Sequence, residues 1–274
     1  AACSEDAVSM VKGKPEIDRE KCTECGICIS ACPVQAIAGI YPKRTVRQNE
    51  LAAEGDRPTA KELLILYKKG VNTIAGETEA QIALWKESID EANEMLASLE
   101  EEPFTVIVKK YNREEEVLTR RELFGLWKKE GKSVLREVVP AKWRFNHKDF
   151  DLPKYYPRFQ FFSIDIDGEK CSLCGVCEKI CEKNCIKIKK DHLSINSQAC
   201  SSCNLCVDAC PEKAIGIDEE ISQAEERKFP IYERVCSVCR HTFHSLRNSD
   251  VKCPACTMRE RFTKQLKEGK NYAI

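Results

Sequence analysis

The chain has 274 residues, with 44 Lys and Arg balanced by 44 Asp and Glu, and 18 cysteines. That length holds two or three small domains, and a formal net charge of zero argues against a general attraction to nucleic acid or anionic lipid. No apolar run approaches the roughly 20 residues that span a bilayer, and no basic region followed by an apolar core opens the sequence, so neither membrane insertion nor a secretory signal is predicted.

The cysteines admit two explanations, a disulfide framework or metal ligation. Disulfide scaffolds are usually short, secreted and irregularly spaced. Here the cysteines fall in tight CxxC and CxxCxxC groups, which points to metal. In chain order, a solitary Cys3 comes first. The run CTECGICISACP then places Cys22, Cys25, Cys28 and Cys32. From about Tyr41 to Phe162 there is no cysteine. Within that insertion, Thr59 opens an apolar helical run, TAKELLILYKKG, with Gly70 as its C-cap. VNTI reads as a short strand. Residues 77–101 carry Ile82, Trp85, Ile89, Met95 and Leu99 at helical spacing, and FTVIVKKY reads as another strand. The order predicts a helix followed by a strand–helix–strand crossover. No glycine-rich phosphate loop is present, so no nucleotide site is expected. Thr119 and Glu122 form a capping-box pattern that predicts a helix over TRRELFGLWKKEG. The aromatic stretch WRFNHKDFDLPKYYPRFQFF is expected to run extended over the cysteine-rich region that follows, with a partner surface as the alternative. Two further groups come next, Cys171, Cys174, Cys177 and Cys181, then Cys200, Cys203, Cys206 and Cys210. The last group, Cys236, Cys239, Cys253 and Cys256, consists of two CxxC knuckles.

Three of these groups read C-x2-C-x2-C-x3-C, and the pattern resembles that of bacterial two-cluster 4Fe–4S ferredoxins. The resemblance implies that three cysteines wrap one cluster in a tight loop, with Gly26 and Gly175 where the backbone passes close. It implies that the fourth cysteine starts the next helix and ligates the neighbouring cluster. One cluster then takes Cys171, Cys174, Cys177 and Cys210, the other Cys200, Cys203, Cys206 and Cys181. Cys200 follows Cys171, and Cys210 follows Cys181, by 29 positions; Cys32 follows Cys3 by the same 29. The segment CSEDAVSM aligns with CPVQAIAG and CPEKAIGI. Cys3 is therefore expected to complete the cluster of Cys22, Cys25 and Cys28. The triplet that would partner Cys32 falls before Ala1, so the polypeptide is expected to extend upstream and to hold a fourth cluster there. The alternative is that Cys32 is a buried thiol or a ligand to a partner's group. Cys185 stands where the other units have Ala36 and Ala214, and a small buried apolar role is expected for it. Glu182 replaces the proline found after Cys32 and Cys210.

Four thiolates in two knuckles suit tetrahedral zinc or a single iron; the tail resembles a zinc ribbon, which favours structural zinc over a redox iron, with His241 and His244 as surface residues of its hairpin rather than substitute ligands. The expected fold class is α+β: two ferredoxin-like 4Fe–4S domains separated by a mixed α/β insertion, with a small zinc ribbon at the C-terminus. The expected domains are 1–42, 43–162, 163–220 and 230–262. No catalytic residues are identified, and no cluster iron is left open for substrate. The resemblance implies an electron-transfer subunit within a multi-subunit redox enzyme such as a formate dehydrogenase or hydrogenase, with redox proteins as partners. The alternative is a non-catalytic iron–sulfur sensor or assembly factor whose ribbon binds nucleic acid or a client protein. Thiols that must stay reduced point to the cytoplasm.

Overall fold

A computed structural model describes residues 2–37, 42–110, 141–143 and 149–267, with 141–143 and 265–267 described by backbone alone. The helix expected after Thr119 lies outside the described residues. The chain divides into two compact units, Ala1–Tyr156 and Pro157–Ile274. Among the described residues no helix is long and apolar enough to cross a membrane.

The first unit opens with a hairpin of β1 (Val8–Val11) and β2 (Lys14–Ile17), paired in register Val8 to Ile17. Lys12 and Gly13 both take positive φ, 49° and 77°, the geometry of a tight two-residue hairpin turn. A short helix, α1 (Ile27–Ala31), follows. Lys61 Nζ donates to the Ser30 carbonyl at 3.3 Å and ties α1 to the next module.

That module is a five-stranded sheet in the order β6-β5-β4-β3-β7, formed by β3 (Arg44–Arg47), β4 (Glu50–Ala52), β5 (Thr73–Gly76), β6 (Thr105–Val108) and β7 (Ala141–Trp143). β4, β5 and β6 run parallel, joined through α2 (Ala60–Lys68) and α3 (Glu79–Ser98). The predicted crossover is therefore present and extends one unit further back, through β4 and α2. β3 and β7 add an antiparallel edge that the sequence reading did not contain.

Capping sets both helix starts. Thr59 Oγ1 accepts the Glu62 N–H, and Gly70, with φ of 95°, ends α2 as expected. Gln81 N donates to Thr78 Oγ1 while Gln81 Oε1 accepts the Thr78 N–H, a reciprocal capping box for α3. Gly76 is required just before it, because a Cβ there would sit 2.7 Å from Ile82 Cγ1. α2 buries Leu63, Leu64, Ile65 and Leu66 together, between α3 and the Leu152–Tyr155 segment. α3 buries Trp85, Ile89, Ala92 and Leu96; Met95, expected in that stripe, is half-exposed because the 3.6-residue period carries the face through Ala92 to Leu96.

The expected course of the aromatic stretch is corrected for its middle part, while residues 159–162 do run extended, within a strand of the second unit. Leu152–Tyr155 forms a short helix, α4, packed on α2, and Tyr156 Oη donates to the Leu64 carbonyl at 2.9 Å. This part of the stretch belongs to the first unit, where burying Tyr156 and Phe150 completes the apolar cover of α2.

In the second unit, β8 (Phe159–Ile166) pairs antiparallel with β11 (Ile215–Gln223), Ile166 opposite Ile215. A second sheet holds β12 (Glu226–Pro230), β10 (His192–Asn196) and β9 (Ile186–Ile188), in that order. Two short helices, α5 (Val176–Ile180) and α6 (Leu205–Asp208), follow the cysteine loops. Ile164, Ile186, Leu193, Ile195 and Ile215 pack with Cys185, Cys200 and Cys206 into one core. The tail forms a hairpin, β13 (Tyr232–Val235) with β14 (Thr242–Ser245), and then α7 (Pro254–Lys267).

One ion pair inside the first unit has a testable energetic role. Arg44 Nε and Nη2 reach Glu62 Oε1 and Oε2 at 2.7 and 3.0 Å, Nη1 donates to the Asp56 carbonyl, and the guanidinium lies 5.5 Å from the Trp85 ring centroid. Both side chains are buried. Removing one partner strands the other charge, so Arg44→Leu is expected to cost about 3 to 5 kcal/mol. Pairing Arg44→Met with Glu62→Leu should recover most of that loss. Urea unfolding followed by tryptophan fluorescence checks both outcomes.

Candidate metal centres

The three CxxCxxC loops share one backbone. The second residue after the first cysteine has positive φ in each: Glu24 at 59°, Leu173 at 53° and Ser202 at 54°. So does the fourth: Gly26 at 76°, Gly175 at 78° and Asn204 at 59°. Left-handed residues outside glycine store strain unless the surroundings dictate them, and alternating right- and left-handed residues turn successive N–H groups into an anion-binding concavity. The glycines signalled this in the sequence. Glu24, Leu173 and Ser202 did not, because nothing about their side chains favours that conformation.

A second repeat follows each terminal cysteine. The sulfurs of Cys3, Cys32, Cys181 and Cys210 accept the N–H of Ala7, Ala36, Cys185 and Ala214 at 3.4, 3.2, 3.4 and 3.3 Å. The residue before each of these donors is left-handed: Asp6, Gln35, Asn184 and Lys213. Cys3 thus occupies the same turn as the other three, as the 29-residue register predicts. One expectation is corrected. Cys32 and Cys181 do not start helices; they close α1 and α5 as C-caps in extended conformation. Cys210 likewise follows the end of α6. After Cys3, Cys181 and Cys210 the turn held by the N–H···S bond leads into strand, so Glu182 in place of proline interrupts no helix.

The turns also fix which loop each terminal cysteine meets. Asp18 N donates to the Ala7 carbonyl, Asn196 N to the Cys185 carbonyl and Asp167 N to the Ala214 carbonyl, each at 2.8 Å. Each bond joins the turn after a terminal cysteine to the residue four before a triplet. Electrostatics follow the same grouping. Burial pushes the Cys28 thiol up, helped by the thiolates of Cys25, Cys22 and Cys3. Burial also raises Cys171, with Cys174 and Cys210 adding to it. Cys206 is pushed up to about 11 by burial and then by Cys200, Cys181 and Cys203; Cys177 reaches about 11 by burial and Cys171. Ile166, Ile188, Leu193 and Ile215 line a small cavity, of about 20 Å³, beside Cys171, Cys174, Cys177 and Cys210. Crowded thiolates in apolar surroundings repel one another and lose solvation, so a cationic core that neutralises them fits this site.

Cys185 is buried, at 3% exposure, as expected. Its contacts left no trace in the sequence. Its side chain packs with Cys200 and Cys206, and Cys181 lies against the same cluster. As a donor there, Cys185 draws Cys181 down to about 5 and Cys200 to about 7.

The tail is built differently. The sulfurs of Cys236, Cys239, Cys253 and Cys256 all lie within 4.8 Å of one another, and Cys239 and Cys253 are 3.8 Å apart. Tetrahedral zinc with Zn–S bonds of about 2.3 Å needs sulfurs about 3.8 Å apart. Cys253 N donates to Cys236 Sγ at 3.3 Å. N–H groups of Cys239 and Cys253 pull Cys236 down to about 6, while Cys256 is pushed up to about 12, chiefly by its bond to Cys253. The first knuckle sits on the β13–β14 hairpin; the second opens α7, with Pro254 in its first turn. His241 and His244 are exposed.

Comparison with known proteins agrees with this geometry. The family described as 4Fe-4S binding domain matches residues 15–38 and 193–216. The loop from Cys171 to Cys181, where Glu182 stands in place of proline, falls outside the matched residues. An uncharacterized ferredoxin of Methanocaldococcus jannaschii is 32% identical over 76 residues, covering 28% of this chain and 49% of the relative. The chain thus spans about half that relative's length.

If Cys3 shares a centre with Cys22, Cys25 and Cys28, then Cys3→Ala should lower bound iron and acid-labile sulfide by the same amount as Cys22→Ala. Full iron retention in Cys3→Ala would separate Cys3 from that centre.

Proposed function

Because the chain carries tandem ferredoxin-type 4Fe–4S binding domains, we propose that it is an electron-transfer protein whose cysteine loops form a relay. The repeated backbone of the loops, with its left-handed pairs and N–H···S turns, carries this reading. Cys22, Cys25, Cys28 and Cys3 hold one centre. Cys171, Cys174, Cys177 and Cys210 hold a second, and Cys200, Cys203, Cys206 and Cys181 a third. When bound, a 4Fe–4S cluster supplies one-electron exchange with little change of geometry. The chain's part is to fix the sulfurs, aim N–H groups at them and exclude water with Ile166, Ile188, Leu193 and Ile215.

Cys32 belongs to the same scheme. Its turn matches that of Cys210, and we assign it to a fourth centre completed by three thiolates from outside residues 1–274. The exposed hairpin supports this. Ile17 is 40% exposed, whereas Ile195, its counterpart one residue before the matching turn contact, is 1% exposed under Ile164 and Ile215. A second half-domain laid on β1 and β2 would bury that face.

The tail cysteines are assigned to one structural zinc ion. Their close spacing suits a single ion, whereas a cluster places a whole iron–sulfur cube between its thiolates. The site has four cysteines and so leaves no open position for chemistry. The proposed setting is the reducing cytoplasm, with a redox enzyme of formate dehydrogenase or hydrogenase type as the partner; co-purification of the native chain with such a subunit tests this.

Two measurements check the proposal. Anaerobic reductive titration followed by EPR should give interacting 4Fe–4S signals that a partner reductase can also generate. A cluster-dependent affinity for nucleic acid, without electron exchange, would favour the sensor alternative instead. Metal analysis of Cys253→Ser should show loss of one zinc per chain with iron retained, since the two kinds of site share no ligand.

A further inference from the structure

The four N–H···S turns offer an internal comparison. At the donor position three turns carry alanine, Ala7, Ala36 and Ala214, and one carries Cys185. The backbone bond is the same in all four. Cys185 differs only in its side chain, which packs in the core with Ile164, Ile186, Ile195, Cys200 and Cys206. In that core its thiol packs with the ligand cysteines Cys181 and Cys200. These two sulfurs come from different repeats and meet in one proposed ligand set. In the other set of the same unit, the corresponding residue is Ala214, whose methyl group lines the cavity beside Cys171 and Cys210 and offers no donor.

We propose that Cys185 is a positioning residue that makes the two centres of this unit unequal: its buried S–H donates its single proton to the thiolate of Cys181 or Cys200 and raises the reduction potential of the centre they hold above that of the Cys171, Cys174, Cys177 and Cys210 centre. The proposal rests on the ligand sets given under Proposed function. Hydrogen bonds to cluster sulfurs are one of the levers that set potential. An added electron increases the negative charge on the ligand sulfurs, so a donor facing them stabilises the reduced state more than the oxidised one. Burial strengthens the effect by keeping the local dielectric low. The electron comes from one redox partner and leaves to another, and Cys185 keeps its proton in both states. The Cys185 side of the unit is then where an electron rests, and the Ala214 side is where it passes.

The test uses the intact chain with its iron. Potentiometric titration with EPR detection gives the midpoint of each centre, and Cys203→Ser identifies the relevant wave by shifting or removing it alone. Cys185→Ala is expected to retain all iron and move that wave to more negative potential, leaving the others in place. Cys185→Ser keeps a donor of similar size and should hold the midpoint at or above its original value. Unchanged midpoints in Cys185→Ala at full iron content overturn the proposal. So does loss of one cluster's iron in both Cys185 variants, which would make the thiol a ligand or an essential packing element. If the unaltered chain binds no 4Fe–4S cluster, the underlying ligand sets fail rather than the role of Cys185.

Discussion

Buried thiolates are the constraint on which the cysteine-rich parts of this chain depend. Burial and mutual repulsion raise thiols such as Cys177 and Cys206, so a protein that gathers them must compensate their charge. Two devices do so here. Left-handed residues turn backbone N–H groups inward at each triplet, and each terminal cysteine accepts an N–H four residues on. The main chain supplies these dipoles, so the loops tolerate very different side chains at Glu24, Leu173 and Ser202. Metal completes what the dipoles begin, and binding it then contributes to the folding of the loops.

The α/β module obeys different rules. Its long helices are capped by side chains, and the deeply buried Arg44–Glu62 pair is satisfied by both partners and by the Asp56 carbonyl. No metal is needed to account for its core. In the first unit a conventional hydrophobic module therefore stands in the same compact body as a cysteine hairpin that has little core of its own. A hydrogen bond from Lys61 to the Ser30 carbonyl links the two.

The cysteine register was legible because it is local and periodic. A 29-residue repeat fixes the turn of Cys3 without knowledge of tertiary contacts, and the same locality made α2, α3 and the β5–β6 crossover readable from caps and period. Pairings between distant segments were not. β3 and β4 are short and pair across a two-residue turn, Gln48 and Asn49, that lacks a glycine signal, while β7 and β5 join them from remote segments. Tyr156 was read as part of an extended stretch, because only the fold reveals that Leu64 offers it a carbonyl. The direction of the terminal cysteines was misread for a related reason: spacing says how far a sulfur lies along the chain, but not whether a helix begins or ends there.

Cys185 marks the limit of pattern-based inference. Compared with alanine at three equivalent positions, a cysteine reads as a conservative replacement of one small buried residue by another. Size and burial bear that out, yet the change adds a donor beside sulfurs that come from two repeats. Symmetry in the backbone is what makes the difference interpretable. When four turns share one hydrogen bond and one strained residue, a single altered side chain becomes the clearest local source of functional asymmetry. A duplicated fold starts with equivalent centres, and a relay with a preferred resting place for its electron needs that equivalence broken. A buried thiol can break it without disturbing a ligand, a loop or the packing around them.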